Sequence, residues 1–409
     1  MPGTTSATAT PRPKATARKR TARPAAQAKI PPHIAHANAP ASFDSWLPAE
    51  AFASDPGDLH HGGLELPLAV IDGYSLKLRG AGGFIGDTVS RTAFSRILDA
   101  WRQLFTTMDD GRDPFGKAWR GIETKDIGKK DIALMIDKKG PAGQAIRAAI
   151  EDYAVQLVDV VRRFLRQPSW RHVERIVIGG GFQQSEAGIR AVKRANELLG
   201  ARRLKIRLQR LRHHSDEGGL IGWVHVAPPE LLARYEALLA VDIGGTNVRC
   251  GIVRTRLENP HDLSRVDVIG RDKWGHAHDD DAVRREHLLQ GIAEMLGKLI
   301  RKAERKGISL APFVGVACPG TVRRNGLITD GAQNLPGNWE SSRFHLPRQL
   351  CKLLPAIDGQ MTQVRLHNDA VVQGLSELPF VQDVKHWAVL TVGTGLGNAS
   401  YTNRGSGLG

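Results

Sequence analysis

The sequence has little cysteine, only three residues in 409, and none lies at a spacing typical of metal ligands. Cys250, Cys318 and Cys351 are therefore interpreted as reduced thiols. The chain also lacks an apolar run long enough to cross a membrane, and no apolar segment typical of a signal peptide follows the N-terminus. These absences predict a cytoplasmic protein with no membrane partner.

Acidic residues are absent from residues 1–42, which carry seven lysines and arginines among Ala, Thr and Pro. The formal charge of +15 falls to about +8 without them, from 50 basic and 42 acidic residues. Such a composition cannot bury a core and predicts a disordered basic tail over residues 1–44. A solvated tail, a weak nucleic-acid contact through counterion exchange, and an organelle transit peptide remain alternatives. The tail has no pair of amphipathic helices, so it is not a helix-turn-helix domain.

The remaining length is enough for two domains, and its apolar patterns alternate between strands and helices, which indicates an α/β protein. Strands are predicted at 68–71, 173–178, 204–208, 238–243, 248–253, 265–270, 313–318, 364–366 and 386–392, and loops over 109–130. Helices are predicted at 90–108, 145–164, 185–199, 228–239, 281–306, 347–354 and 370–378. The run His276–Asp281 has metal-ligand residue types, but such neighbouring residues more often form a solvated loop and helix start.

The stretch Leu238–Arg256 is a strand, a glycine turn and a second strand. Its adjacent glycines, Gly244 and Gly245, allow the backbone to approach a phosphate and turn N–H groups towards it. Thr246 adds a hydroxyl donor, and Asp242 lies where a carboxylate could hold Mg²⁺ against phosphates. An ordinary tight hairpin is the alternative.

Two further strands end in polar or glycine-rich turns. Val173–Phe182 runs into three glycines before a helix, where a planar nucleoside could lie against bare backbone, although a tight strand-to-helix connection gives the same pattern. Val364–Leu366 carries His367, Asn368 and Asp369 at its carboxyl end.

Five segments occur in the order and approximate spacing seen in bacterial sugar kinases: DIGGTNVRCGIV, GVACPGTV, NLPGNW, LHNDAVVQGLSE and VLTVGTGLGNA. They span about 160 residues and resemble the ROK family (repressor, open reading frame, kinase) and the related glucokinases. The resemblance implies the actin-like ATPase (ribonuclease H-like) fold, in which two α/β lobes are hinged around a cleft.

The order of the remaining motifs differs from that family. IVIGGGF and GGLIGW follow the second phosphate motif in the family, whereas here both precede DIGGT. We therefore interpret the chain as circularly permuted. Residues 62–226 would form the adenosine-binding part of the large lobe, residues 227–369 the small lobe, and residues 370–409 the return to the large lobe. A truncated kinase with an unrelated N-terminal domain is the alternative.

The resemblance implies ATP and Mg²⁺ as cofactors. It assigns two phosphate loops, an adenosine contact and a metal-associated carboxylate to this sequence. The cofactor-binding residues would be Asp242, Gly244, Gly245, Thr246, Gly393, Thr394, Gly395, Gly179, Gly180 and Gly181, with Asp242 also at the metal.

The resemblance also implies a sugar substrate. Asp369 would be the general base, Asn368 would hydrogen-bond the sugar, and Gly320 and Asn334 would line its site. An Asn–Asp cap that begins a helix at Ala370 is the alternative for Asp369. The family segment Gly-Glu-Ile-Gly-His aligns with Gly80–Ser90, which puts Asp87 at the acidic position and Ser90 in place of the histidine.

The resulting hypothesis is an ATP-dependent hexose kinase with a sugar and a nucleotide as its partners. A non-catalytic sugar-sensing regulator and a pseudokinase of the same fold are the alternatives. The missing DNA-binding helices argue against a repressor. Polyphosphate as the donor and a homodimeric state are left open.

Overall fold

The computed structural model describes residues 66–80, 83–257, 263–279, 284–393 and 395–405. The predicted basic tail and Thr394 lie outside these residues. Most strands belong to two five-stranded sheets. The strands are β1 (Ala69–Tyr74), β2 (Arg79–Gly80), β3 (Gly83–Phe84), β4 (Arg175–Gly179), β5 (Arg207–Arg210), β6 (Ala237–Ile243), β7 (Val248–Arg254), β8 (Asp267–Trp274), β9 (Leu310–Cys318), β10 (Thr321–Val322), β11 (Ile328–Asp330), β12 (Ala356–Ile357), β13 (Gln360–Met361), β14 (Gln363–Asn368), β15 (His386–Val392) and β16 (Leu396–Asn403).

Sheet I has the strand order β14-β9-β6-β7-β8. Strands β6, β7 and β8 form an antiparallel meander, whereas β9 and β14 run parallel to β6 on its other side. The chain therefore visits the central strand first and the parallel edge last.

Sheet II has the order β5-β4-β15-β16-β1 and the same strand directions as sheet I. The central strand β6 corresponds to β15, and the meander strands β7 and β8 correspond to β16 and β1. In sheet II the chain enters at the meander edge, passes through β4 and β5, and then reaches the central strand β15 and finally β16. Strands β4 and β15 are parallel neighbours, so the segments Val173–Gly181 and Trp387–Gly393 belong to one sheet.

Helices cover the outer face of each sheet and fill the space between the sheets. The helices are α1 (Arg91–Met108), α2 (Lys129–Met135), α3 (Pro141–Phe164), α4 (Glu186–Ala201), α5 (Gly218–Ile221), α6 (Pro229–Arg234), α7 (Arg285–Arg305), α8 (Leu346–Leu353) and α9 (Asp369–Leu375). Helices α1, α3 and α4 pack on sheet II, and α7 and α8 pack on sheet I. Helices α5 and α9 lie in a core that both sheets share.

The central strands are buried on both faces, which explains their continuous apolar sequence. In β6, Leu238 and Ala240 face the shared core, and Leu239 and Val241 face α7. In β15, Trp387 and Val389 face the shared core while the alternate residues face the outer helices. Because successive side chains of a strand point to opposite faces, each central strand contributes to the shared core on one face and to an outer core on the other.

Three sequence predictions differ from the structure. The predicted helix Pro228–Leu239 is wrong in its second half: α6 ends at Arg234, because Tyr235 is extended and the Glu236 and Ala237 N–H groups bond to Ser309 O at the start of β9. Residues 109–130 are mostly irregular as predicted, but α2 begins at Lys129. Strand β16 was not predicted, since its polar residues hide its alternation.

Candidate functional site

A cavity of about 580 Å³ lies where the carboxyl ends of the central and parallel strands of both sheets meet. This is the edge at which open α/β sheets place their ligands. Thirteen of the residues predicted for the site line it: Asp87, Gly180, Gly181, Asp242, Gly244, Gly245, Thr246, Gly320, Asn334, Asn368, Asp369, Gly393 and Gly395.

The first predicted phosphate loop is the turn between β6 and β7. Gly244 N–H donates to Asn247 O at 2.9 Å, and the His276 Nε2 lies 2.8 Å from Gly244 O. A Cβ on Gly245 would come within 3.3 Å of Asn334 Cβ. This loop is therefore held by the protein from two sides. Among the described residues no three His, Cys, Asp or Glu side chains form a metal cluster, and Asp280 and Asp281 of the His-Asp run lie outside them.

The second predicted phosphate loop is the turn between β15 and β16. Gly393 N–H bonds to Gly395 O at 2.9 Å, and Arg91 N–H donates to Gly393 O at 3.0 Å. Gly395 does not have a positive φ, and a Cβ there would meet nothing within 4 Å. Among the described residues, no packing contact requires glycine at this position.

The three glycines after β4 have different surroundings. Gly180 has a φ of +85°, and a Cβ there would lie 2.2 Å from Val392 O. A Cβ on Gly179 would lie 2.2 Å from Gln373 Oε1, and Gly179 does not line the cavity. Packing thus accounts for Gly179 and Gly180, whereas Gly181 is a cavity-wall glycine without such a constraint.

Asp242 lies at the end of β6 and is 9% exposed. Its Oδ2 accepts a hydrogen bond from Arg249 Nη1 at 3.1 Å, and Arg249 also pairs with Asp216. Burial raises the pKa of the Asp242 carboxyl, and Arg249 opposes this rise. The arginine therefore balances a buried carboxylate at the cavity wall.

Asp369 is the first residue of α9 and is half-buried at the cavity, with its Oδ1 accepting from Ala370 N–H at 2.8 Å. Burial, and then the charge of Asp242, raise the pKa of Asp369 to about 6. A carboxyl with such a pKa exchanges protons near neutral pH, which suits a general base.

Asn368, rather than Asp369, caps α9. Its Oδ1 accepts from Val371 N–H at 3.1 Å, and its Nδ2 donates to Ser75 Oγ at 3.1 Å and to Gly320 O at 2.9 Å. The side chain is 2% exposed, and both amide hydrogens are used within the protein. Asn368 therefore joins sheet I to the loop after β1. It also supplies the capping oxygen of the Asn–Asp cap that was the alternative, while Asp369 is the first helical residue.

Asp87 and Ser90 occupy different environments. Asp87 is exposed and lines the cavity, as its alignment with the acidic position predicts. Ser90 is 2% exposed, and its Oγ accepts from Ala93 N–H at 3.1 Å as the N-cap of α1. The family's histidine position is thus occupied by a helix cap.

Sequence reasoning missed several residues at the cavity. Arg249 faces the cavity because it alternates with buried Val248 and Cys250 in β7, a pattern visible in the sequence. Ser75 lies after β1 with a φ of +53°, and Lys77 pairs with Asp330 across the two halves of the protein. Nothing in the sequence around these last residues indicates a contact made over about 250 positions.

Lys129 was also missed. Its Nζ donates to Gly181 O at 2.6 Å, and burial, followed by the charge of Arg91, lowers the pKa of its ammonium group. Because the segment before it is irregular, only the fold brings this lysine to Gly181 after β4.

The sequence matches no protein-family model and no curated protein. Similar solved structures include a proposed N-acetylmannosamine kinase from Listeria monocytogenes, with 26% identity over 41% of this chain and 47% of that one, at a TM-score of 0.29. A proposed sugar kinase from Cytophaga hutchinsonii has 19% identity over 42% and 52% of the two chains, with a TM-score of 0.31. An exopolyphosphatase from the same organism has 15% identity over 40% and 51%, with a TM-score of 0.24.

The chain is thus an α/β protein with two mixed sheets, distantly similar in structure to sugar kinases and exopolyphosphatases. The matched part spans about half the length of each of those proteins.

Helices that are long and apolar enough to cross a membrane do not occur in the described part of the chain.

Proposed function

We propose that this protein transfers the terminal phosphoryl group of ATP to a hydroxyl of a hexose, as a glucokinase-like sugar kinase. The observation that carries the proposal is Asp369: a carboxyl with a pKa raised to about 6, at a cavity with a glycine turn from each sheet. Phosphoryl transfer depends on cradled phosphates, charge neutralisation and an oriented nucleophile, and this site offers residues for each.

In the proposed mechanism the sugar hydroxyl lies within hydrogen-bond reach of Asp369. The ionised carboxylate accepts the hydroxyl proton while the oxygen attacks the terminal phosphorus, and the bond from that phosphorus to ADP breaks. Asn368 acts as a positioning residue, because its side chain fixes the start of α9 and so the direction of Asp369. Gly320 and Asn334 would form the wall of the sugar site, with Asp87 on the other side.

The phosphates would lie between the turns at Gly244–Thr246 and Gly393–Gly395. The open space at Gly395 and the cavity-lining turn at Gly245 fit a polyanion that is bound by N–H groups. Mg²⁺ fits the carboxylate oxygens of Asp242, which are the kind of ligand it prefers, and it would supply neutralisation of phosphate charge. Gly181 would lie against the adenosine.

We further propose that the fold is a circularly permuted kinase. Its lobes would be residues 62–226 together with 370–409, and residues 227–369. The same strand order in both sheets supports this, because sheet II differs from sheet I only in where the chain enters. The short α6, which joins α5 to β6 with little intervening chain, would be the connection between the former ends.

The test is the formation of sugar phosphate from a panel of hexoses, with ATP and polyphosphate compared as donors. ATP-dependent product with at least one hexose, lost in Asp369→Asn, is the expected result. Absence of product with every pair of sugar and donor, in a protein that binds sugar, would favour the regulator instead. The observation that favours the regulator is that Ser90 caps a helix, because this removes one sugar contact that the family resemblance implies.

A further inference from the structure

Gln373 is a buried glutamine that the proposed mechanism does not use. It lies one helical turn after Asp369 on α9, so the two side chains share a face of the helix, and both line the cavity. Gln373 is 8% exposed, and its Oε1 has no hydrogen-bond partner among the described residues. A buried acceptor without a donor destabilises a protein, which calls for an explanation at this position.

Two glycines make room for this side chain. A Cβ on Gly179 would lie 2.2 Å from Gln373 Oε1, and a Cβ on Gly218 would lie 3.1 Å from its Cγ. The amide is therefore held in a slot between the end of β4 and the start of α5, in a fixed direction.

The start of α5 also lies next to Asp242. A Cβ on Gly219 would lie 2.9 Å from the Asp242 Cγ, next to the glycine that contacts Gln373. Asp242 and Gln373 thus flank one pair of glycines, and Asp369 lies one turn away on α9. Three oxygen-bearing side chains from β6 and α9 surround one corner of the cavity.

We infer that Gln373 holds the water shell of the divalent cation that accompanies the nucleotide phosphates. Mg²⁺ keeps several of its waters when protein carboxylates and phosphates bind it, and those waters are hydrogen-bond donors. The unpartnered Oε1 is an acceptor on a side chain that lines the same cavity as Asp242 and Asp369, so a metal-bound water would satisfy it. Gln373 is a positioning residue in this role, and the inference rests on the proposed nucleotide site.

The test is ADP binding by calorimetry, with MgCl2 and with EDTA, for the wild type and Gln373→Met. Methionine keeps the volume and removes the acceptor. Groups that orient a metal's ligands typically change metal affinity by about 10- to 100-fold when they are lost. We expect the gain in ADP affinity that Mg²⁺ provides to fall by about tenfold in Gln373→Met, with ADP affinity in EDTA unchanged.

Gln373→Glu keeps an oxygen acceptor and should retain the magnesium dependence. Gln183→Met is the matched control. Gln183 is 1% exposed with both amide atoms unpartnered, but it does not line the cavity, so its loss should leave magnesium dependence unaltered. The thermal stability of ligand-free Gln373→Met should equal or exceed that of the wild type, because an unpartnered polar atom has been removed.

Equal losses of ADP affinity in MgCl2 and EDTA would assign Gln373 to the nucleoside and overturn the inference. A full magnesium dependence in Gln373→Met would also overturn it, while leaving the nucleotide site intact. A wild type that binds no ADP in either condition would remove the proposed function, and this inference with it.

Discussion

The two central hairpins of the protein occupy corresponding places in their sheets but carry different chemistry. In sheet I, Asp242 pairs across the strands with Arg249 just before the turn, whereas in sheet II Thr391 pairs with Gly397 at the corresponding place. A Cβ on Gly397 would lie 2.3 Å from Thr391 Oγ1, so the neutral pair is close-packed. The same topology thus supports a charged pair of residues in one half and a neutral, close-packed pair in the other.

The comparison extends to the turns themselves. The turn of sheet I is held by His276 and lies against Asn334, while the turn of sheet II has open space around Gly395. Both carboxylates of the proposed chemistry belong to sheet I: Asp242 lies in β6, and Asp369 directly follows β14. Under the proposed function, sheet I would therefore carry the reacting groups, and sheet II would contribute mainly a backbone surface.

The largest expected effect is on Asp369. Asp369→Asn keeps the size of the side chain but cannot accept the sugar proton, so kcat should fall by at least about 100-fold. ATP affinity should change little and the melting temperature should not fall, because Asn368 is the cap of α9. Steady-state kinetics and thermal melts measure both. Near-normal turnover in a folded variant would break the assignment of the chemistry to sheet I.

The second largest effect is expected at Gly395, in the turn of sheet II that has open space around it. Gly395→Ala meets no protein atom within 4 Å and needs no positive φ, so stability should stay within about 0.5 kcal/mol of the wild type. A methyl group against a bound phosphate is overpacked by about 1–3 kcal/mol, so ATP affinity should fall by about 5- to 160-fold.

Gly180→Ala is the matched contrast, since its φ of +85° and its contact with Val392 O should make the variant unstable. Unchanged ATP affinity in Gly395→Ala, measured by calorimetry, would mean that the sheet II turn does not touch the nucleotide.

The raised pKa of Asp369 sets the pH dependence. The base acts when ionised, so kcat/KM should fall by about tenfold per pH unit below about 6 and level off above it. Because the pKa of Asp369 in the folded protein lies above the ordinary aspartate value of 3.8, protonation stabilises the folded state below that value, and this contribution is lost as the pH rises through 6. Asp369→Asn should therefore gain stability relative to wild type between pH 4 and pH 8, and an equal difference at both pH values would contradict the raised pKa.

Local sequence patterns predicted much of this molecule. Apolar periodicity predicts the β6–β7 hairpin and the helices α1, α3, α4 and α7. The glycine turns were located because glycine marks a turn. The cavity brings together most of the predicted site residues. Gly179 was misjudged, because whether a glycine faces a ligand or a neighbouring side chain depends on packing from another part of the chain.

Long-range contacts could not be predicted in this way. The bond from Asn368 to Ser75 joins residues 293 positions apart, and Lys129 reaches Gly181 from a segment without periodicity. The end of α6 at Arg234 is set by bonds to Ser309, so local helix propensity was overridden by strand pairing. Registers and cross-sheet contacts of this kind depend on the whole fold.

The smallest effect concerns the link between the two halves. Asn368→Ala removes the cap of α9 and the donor to Ser75 and Gly320, so the free energy of unfolding should fall by about 1–2 kcal/mol. Asn368→Asp is the sharper variant, since it keeps the capping oxygen and replaces the amide donor that spans the sheets with a charged acceptor. Denaturant unfolding of both variants separates the cap from the link. Equal stability of Asn368→Asp and the wild type would show that the contact to Ser75 adds nothing to the link between the two sheets.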